Sequence, residues 1–130
     1  MAAPTPRDAS TVIIARDTAE GIEVYMLRRS SKSTAVPDAY VFPGGTVDRA
    51  DRSPAARMRL QGQWRPADPE YTYTAMRETF EECGVLFSVT PVPAQQLAEA
   101  RTALLEGRRT FHQTLADLDV HLDARAVHYF

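Results

Sequence analysis

Residues 77–85 read Arg77-Glu78-Thr79-Phe80-Glu81-Glu82-Cys83-Gly84-Val85, and residues 40–45 read Tyr40-Val41-Phe42-Pro43-Gly44-Gly45. The first stretch closes a segment, 71–83, in which Ala75, Thr79 and Cys83 recur every four residues, as do Met76 and Phe80. That spacing predicts one face of a helix. Gly84 stands where a glycine ends a helix, since it takes the left-handed conformation without a Cβ clash. On this helix Glu78, Glu81 and Glu82 fall at i, i+3 and i+4 and share a side. Like charges so placed destabilise a helix by about a few tenths of a kcal/mol per pair. A hard divalent cation, which prefers oxygen ligands, removes that repulsion. Arg77 is positioned to pair with one carboxylate and orient it. Read alone, the triplet is more often a solvated acidic face. The second stretch narrows the choice, because two glycines after a proline permit a sharp bend whose backbone can approach a ligand closely.

Working outward, Val12, Ile13 and Ile14 predict a strand over 10–16. Ile22, Val24 and Met26 alternate with Glu23 and Tyr25 over 22–29, and the turn DTAEG between the two runs predicts a β-hairpin. Residues 39–42 read as a third short strand. The polar region 46–70, with Pro54, Pro66 and Pro69, reads as a long connection with helical turns near 55–60. Residues 85–89 read as a strand, 94–106 and 110–118 as helices, and 126–130 as the start of a further strand. Because the chain stops inside that apolar run, the expectation is a fragment whose C-terminal strands are missing. Residues 1–9 read as a flexible tail.

Composition limits the alternatives. The 130 residues are 44% hydrophobic and 25% charged, ordinary for a globular domain. Fifteen Lys and Arg against 17 Asp and Glu give a net charge of -2, without the basic excess that holds proteins to nucleic acid. One cysteine, Cys83, excludes an internal disulfide and a multi-cysteine zinc site. No apolar run is long enough to span a bilayer. The expected setting is cytoplasmic, with neither nucleic acid nor membrane as partner. His112, His121 and His128 show no metal-ligand spacing and read as surface or packing residues. Cys83 reads as a small packing residue. Trp64 reads as an anchor for its loop, with stacking on an adenine as the alternative.

Taken in order, these motifs resemble the box of the Nudix hydrolase family, G-x5-E-x7-R-E-U-x-E-E-x-G-U with U apolar. Gly45 matches the first glycine, and Arg77, Glu78, Glu81, Glu82, Gly84 and Val85 match the last part. Asp51 replaces the first glutamate, and Thr79 stands where an aliphatic residue is usual. Twenty-five residues, 52–76, occupy the place of seven, so the box is split. The split, and the continuation Asp48-Arg49-Ala50-Asp51, resemble a subgroup related to the peroxisomal acyl-coenzyme A diphosphatase. Arg29-Ser30 and Phe42-Pro43-Gly44-Gly45 match the ends of a coenzyme A signature, while Thr34 and Asp38 stand where it carries Arg and Gly.

The resemblance implies an α/β fold, a Nudix-type α/β/α sandwich with a mixed sheet, over 10–130, with 52–70 inserted in the box. It implies hydrolysis of the diphosphate of a nucleoside diphosphate derivative with Mg2+ or Mn2+ as cofactor. Coenzyme A or an acyl-coenzyme A is the first candidate. NADH or a nucleotide sugar is the alternative, as is an incomplete domain that binds nucleotide and turns over weakly. Glu78, Glu81, Glu82 and the Gly45 carbonyl are the implied metal ligands. Glu78 or Glu81 is the implied general base, with Arg77 orienting a carboxylate. Arg28, Arg29, Phe42 and Gly44 are the implied substrate contacts. The implied partner is a small-molecule nucleotide, and a homodimer is an open possibility for assembly.

Overall fold

The computed structural model describes residues 2–62 and 69–129. Its strands are short. β1 (Ala9–Thr11) pairs antiparallel with β6 (Gly44–Thr46), placing Ser10 opposite Gly45 and Thr11 opposite Gly44. β2 (Ile14–Thr18) and β3 (Gly21–Tyr25) form the hairpin. Its turn is held by the Thr18 hydroxyl, which accepts from Glu20 N and donates to Gly21 O. β4 (Leu27–Arg28) pairs antiparallel with β5 (Tyr40–Val41). β7 (Leu60–Gln61) runs parallel to β8 (Leu122–Asp123). Among the described residues the sheet is therefore mixed in sense and divided into four two-stranded ladders.

Among the described residues four α-helices accompany them: α1 (Pro54–Met58), α2 (Pro69–Cys83), α3 (Ala94–Leu105) and α4 (Phe111–Asp117). Local signals bound three of them. Ser53 caps α1 by accepting from Ala56 N, with Pro54 at the first helical position, where its missing N–H is not needed. Thr110 and Gln113 form a reciprocal capping box on α4. Gly84, at φ +74°, ends α2 and donates its N–H to Phe80 O.

Helix α2 organises the domain by burying two stripes. Tyr73, Met76 and Phe80, at i, i+3 and i+7, enter a core with Ala56, Leu60, Phe111, Leu115, Val120 and Leu122. Phe111 meets Tyr73 edge-on at 5.4 Å between ring centroids and Phe80 at 6.1 Å. A second stripe through Thr74, Arg77, Glu78 and Glu81 faces β6 and the 3-10 turn Arg49–Arg52. Thr79, fully buried where an aliphatic residue is usual, satisfies its hydroxyl on Ala75 O at 2.8 Å.

Several predicted elements are altered by packing. The strand expected over 10–16 is divided at Val12, which is buried and donates to Pro43 O; its halves pair with different partners. The strand expected over 85–89 contributes one bridge, Ser88 with Leu122. The strand expected at the C-terminus is a 3-10 turn, Ala124–Ala126, and 127–129 lie outside any strand. Asp8 and Ala9, read as tail, are bonded: Asp8 O accepts from Val47 N and its carboxylate meets Arg52 at 2.6 Å. Trp64 and Pro66 lie outside the described residues.

The apolar face predicted for β3 is uncovered, with Ile22 74% exposed, whereas Phe80 is 0% exposed. Phe80→Ala is therefore expected to lower unfolding free energy by about 3–5 kcal/mol. Ile22→Ala should change it by no more than about 0.5 kcal/mol. Urea denaturation measures both.

Candidate active site

Arg77 is the hub of the site, with its side chain 8% exposed and that of Asp51 1% exposed. Nε donates to Asp51 Oδ1 at 2.9 Å, and one terminal nitrogen donates to Asp51 Oδ2 at 2.9 Å and Thr46 O at 3.1 Å. The other terminal nitrogen donates to Glu78 Oε1 at 3.0 Å and Glu81 Oε2 at 3.2 Å. Every guanidinium N–H thus finds an acceptor. Asp51 is held in turn by the Thr74 hydroxyl at 2.7 Å and Asp48 N at 2.9 Å. Burial opposes the charge on Arg77, but the Asp51 carboxylate outweighs it and Glu81 and Glu78 add to it, so its pKa is raised.

The glycine bend explains the closeness of strand and helix. A Cβ on Gly45 would fall on the Glu78 carboxylate, so the absent side chain is the space Glu78 occupies. A Cβ on Gly44 would fall on Ser10 O, in the paired strand β1. Gly44 N donates to Glu82 Oε2 at 3.2 Å. Glu78 is therefore the like-charged neighbour of both other glutamates. Burial raises the pKa of Glu81, opposed by Arg77 and reinforced by Glu78. Burial also raises that of Glu82, opposed by Gly44 N–H and reinforced by Glu78.

A cleft of about 740 Å³ opens beside this bend, lined by Arg28, Arg29, Tyr40, Phe42, Gly44 and Glu82 among others. The four substrate contacts expected from the sequence thus share one concavity with a site glutamate. Arg28 also pairs with Asp38 at 3.1 Å, and Arg29 donates to Ala35 O at 2.7 Å. Asp38, standing where the coenzyme A signature carries Gly, keeps a left-handed φ of 61°. Aspartate tolerates that conformation better than most residues.

Metal fit rests on the donor set. Glu78, Glu81 and Glu82 and the glycine carbonyls carry hard oxygen atoms, the donor type that Mg2+ and Mn2+ prefer, and the cradle over Gly45 is filled by a carboxylate. Among the described residues no three His, Cys, Asp or Glu side chains are grouped as a ready-made ion cage. Arg77 and Gly44 N–H hold the carboxylates instead.

Two contributors were not legible as such. Thr74 gave no sign of a role beyond packing, because the carboxylate it holds is 23 residues away. Arg101, on α3, donates from Nε to Glu81 O at 3.0 Å and from a terminal nitrogen to Glu81 O at 2.8 Å and Glu82 O at 3.1 Å. Its only sequence signal was indirect: the last turn of α2 is acidic and has no basic residue of its own. Burial raises the pKa of Cys83, which is partly exposed and bears no role in this arrangement.

No family model matches the chain. A solved structure, a Nudix hydrolase from Alicyclobacillus acidocaldarius, superposes with a TM-score of 0.76 at 28% identity, covering 95% of this chain and 59% of that one. A putative Nudix hydrolase 7 of Caenorhabditis elegans is 35% identical over 80 residues, 62% of this chain and 22% of the relative. The chain is thus similar to Nudix hydrolases in both sequence and fold. Its likeness extends to the acyl-coenzyme A diphosphatase NUDT19 of Gallus gallus, 35% identical over 94 residues, 49% of this chain and 25% of the relative. The counterpart of that name in Xenopus laevis is 28% identical over 133 residues, 64% of this chain and 35% of the relative. The chain spans about a third or less of the length of the curated relatives it matches. No helix among its described residues is long and apolar enough to cross a membrane.

Arg77→Met leaves Asp51 buried and unpaired and is expected to destabilise the fold by about 3–5 kcal/mol, measured by urea denaturation. A carboxylate with a raised pKa binds its proton more readily folded than unfolded. Wild-type stability should therefore fall as pH rises from the ordinary value of 4.5 through the raised folded value of Glu82. Glu82→Gln, which retains an oxygen acceptor for Gly44 N–H, should lose that part of the fall. Thermal melts across the acid range measure the difference.

Proposed function

We propose that this chain is the catalytic unit of a metal-dependent diphosphatase of the Nudix type, acting on coenzyme A or acyl-coenzyme A. The products would be 3',5'-ADP and the corresponding phosphopantetheine. The carrying observation is that Glu82, hydrogen-bonded to the glycine bend, also lines the cleft that holds Arg28, Arg29, Tyr40 and Phe42. The shared lining by Glu82 supports reading the carboxylates and the candidate substrate contacts as one site. The names of the matched relatives in Gallus gallus and Xenopus laevis favour the coenzyme A substrate class. The left-handed Asp38, in the loop between Arg28 and Phe42, is consistent with that signature.

The reaction is hydrolysis: water attacks one phosphorus, the P–O–P bond breaks, and each product leaves with a phosphate. Mg2+ or Mn2+, held by Glu78, Glu81, Glu82 and the Gly45 carbonyl, would neutralise the diphosphate and lower the pKa of the attacking water. Glu78 or Glu81 would accept the water's proton, since both of these partners of Arg77 are more open to solvent than its third, Asp51. Arg77 restrains the two so that neither rotates freely into solvent. Arg28 and Arg29 carry charge suited to phosphate, and Tyr40 and Phe42 offer apolar surface to the nucleotide or pantetheine arm. A reducing compartment such as the cytoplasm suits the single thiol of Cys83.

Incubation with acetyl-coenzyme A and Mg2+ or Mn2+, followed by chromatography, is expected to yield 3',5'-ADP. Glu82→Gln should lose at least tenfold in kcat/KM, within the range of about 10–100-fold for disturbed metal sites. Arg29→Ala should act mainly through KM. Cleavage confined to NADH or nucleotide sugars would move the substrate class. Nucleotide binding without turnover would make this chain a binding module.

A further inference from the structure

Helix α2 ends in an electrostatically awkward way. Its last turn carries Glu81 and Glu82 and no basic residue. The carbonyl end of a helix is the negative end of its dipole, so carboxylates there are disfavoured and the last carbonyls lack intrahelical donors. Gly84 N–H satisfies Phe80 O. The next two carbonyls, of Glu81 and Glu82, are taken by one guanidinium from another helix, Arg101 of α3, at 2.8–3.1 Å. Arg101 passes directly over Gly84, its Cδ 3.4 Å and its Nε 3.8 Å from where a Cβ would stand, which is ordinary van der Waals distance.

The two arginines differ in what they bind. Arg77 donates to the side-chain oxygens of Glu78 and Glu81, so it competes with any cation for them. Among the described residues Arg101 donates to the backbone oxygens of Glu81 and Glu82, not to their carboxylates. It counters the helix end and fixes the peptide units that carry the carboxylates, while leaving those carboxylates available. Its planar fork spans two carbonyls at once, which a lysine ammonium does less well.

We propose that Arg101 is a positioning residue that locks the last turn of α2 so that Glu81 and Glu82 present their carboxylates to a divalent cation. The inference rests on the metal-dependent reading above. The test is Mn2+ binding, followed by electron paramagnetic resonance on the full chain, with thermal stability measured in parallel. Arg101→Gln is expected to weaken Mn2+ affinity by about tenfold, the lower end for loss of a group that orients a metal ligand. Arg101→Lys should show an intermediate loss. Leu97→Ala, a control on the same helix that faces the core, should lower the melting temperature without moving Mn2+ affinity. Wild-type affinity in every Arg101 variant that folds overturns the proposal, as does an equal weakening by Leu97→Ala. A wild-type chain that binds no Mn2+ removes the metal-dependent reading and this inference with it. That result is distinguishable because it appears before any substitution is made.

Discussion

The N–H donors of Arg77 end on acceptors from three separate stretches of chain: Thr46 after the glycine bend, Asp51 in the 3-10 turn, and Glu78 and Glu81 on its own helix. A buried guanidinium is tolerable only when it is fully bonded and paired. The position of α2 against β6 and the Arg49–Arg52 turn is thereby set within the tolerance of a hydrogen bond. The same bonds hold two carboxylates of one helical face in place despite their mutual repulsion.

Around that hub the site is an arrangement of close approaches. Gly44 admits the backbone of β1, and Gly45 admits the carboxylate of Glu78. Gly44 N–H steadies Glu82, and Arg101 steadies the turn beneath it. Apolar packing does its work on the opposite side of α2, where Tyr73, Met76 and Phe80 meet Phe111, Leu115 and Leu122. The division gives one helix two functions, since its core stripe supplies burial and its other stripe carries charge.

The shortened Asp51 illustrates how a departure from a family pattern is absorbed. One methylene fewer still reaches Arg77 at 2.9 Å, because the Arg49–Arg52 turn brings its backbone close and Thr74 and Asp48 N–H complete the carboxylate's partners. Thr79 is absorbed by a bond to its own helix. Asp38 holds a left-handed backbone that glycine would take more freely, and its carboxylate pairs with Arg28.

The α/β class, the α2 helix to its last residue, both later helices, the glycine bend and the hairpin were all legible in the sequence. Each depends on neighbours a few residues apart: the four-residue spacing of Met76 and Phe80, the cap at Thr110, the glycine at 84. Strand pairing was not legible where the partner is distant. The division of 10–16 at Val12, the parallel contact of Leu60 with Leu122 and the loss of a strand at 126–129 follow from pairings no local pattern encodes. The glutamates and Arg77 could be named from their spacing. Their attachment to Asp51, Gly44 and Thr46, and the backing of their helix by Arg101, arise only when the tertiary fold brings carbonyls and carboxylates within reach of guanidinium groups far along the chain.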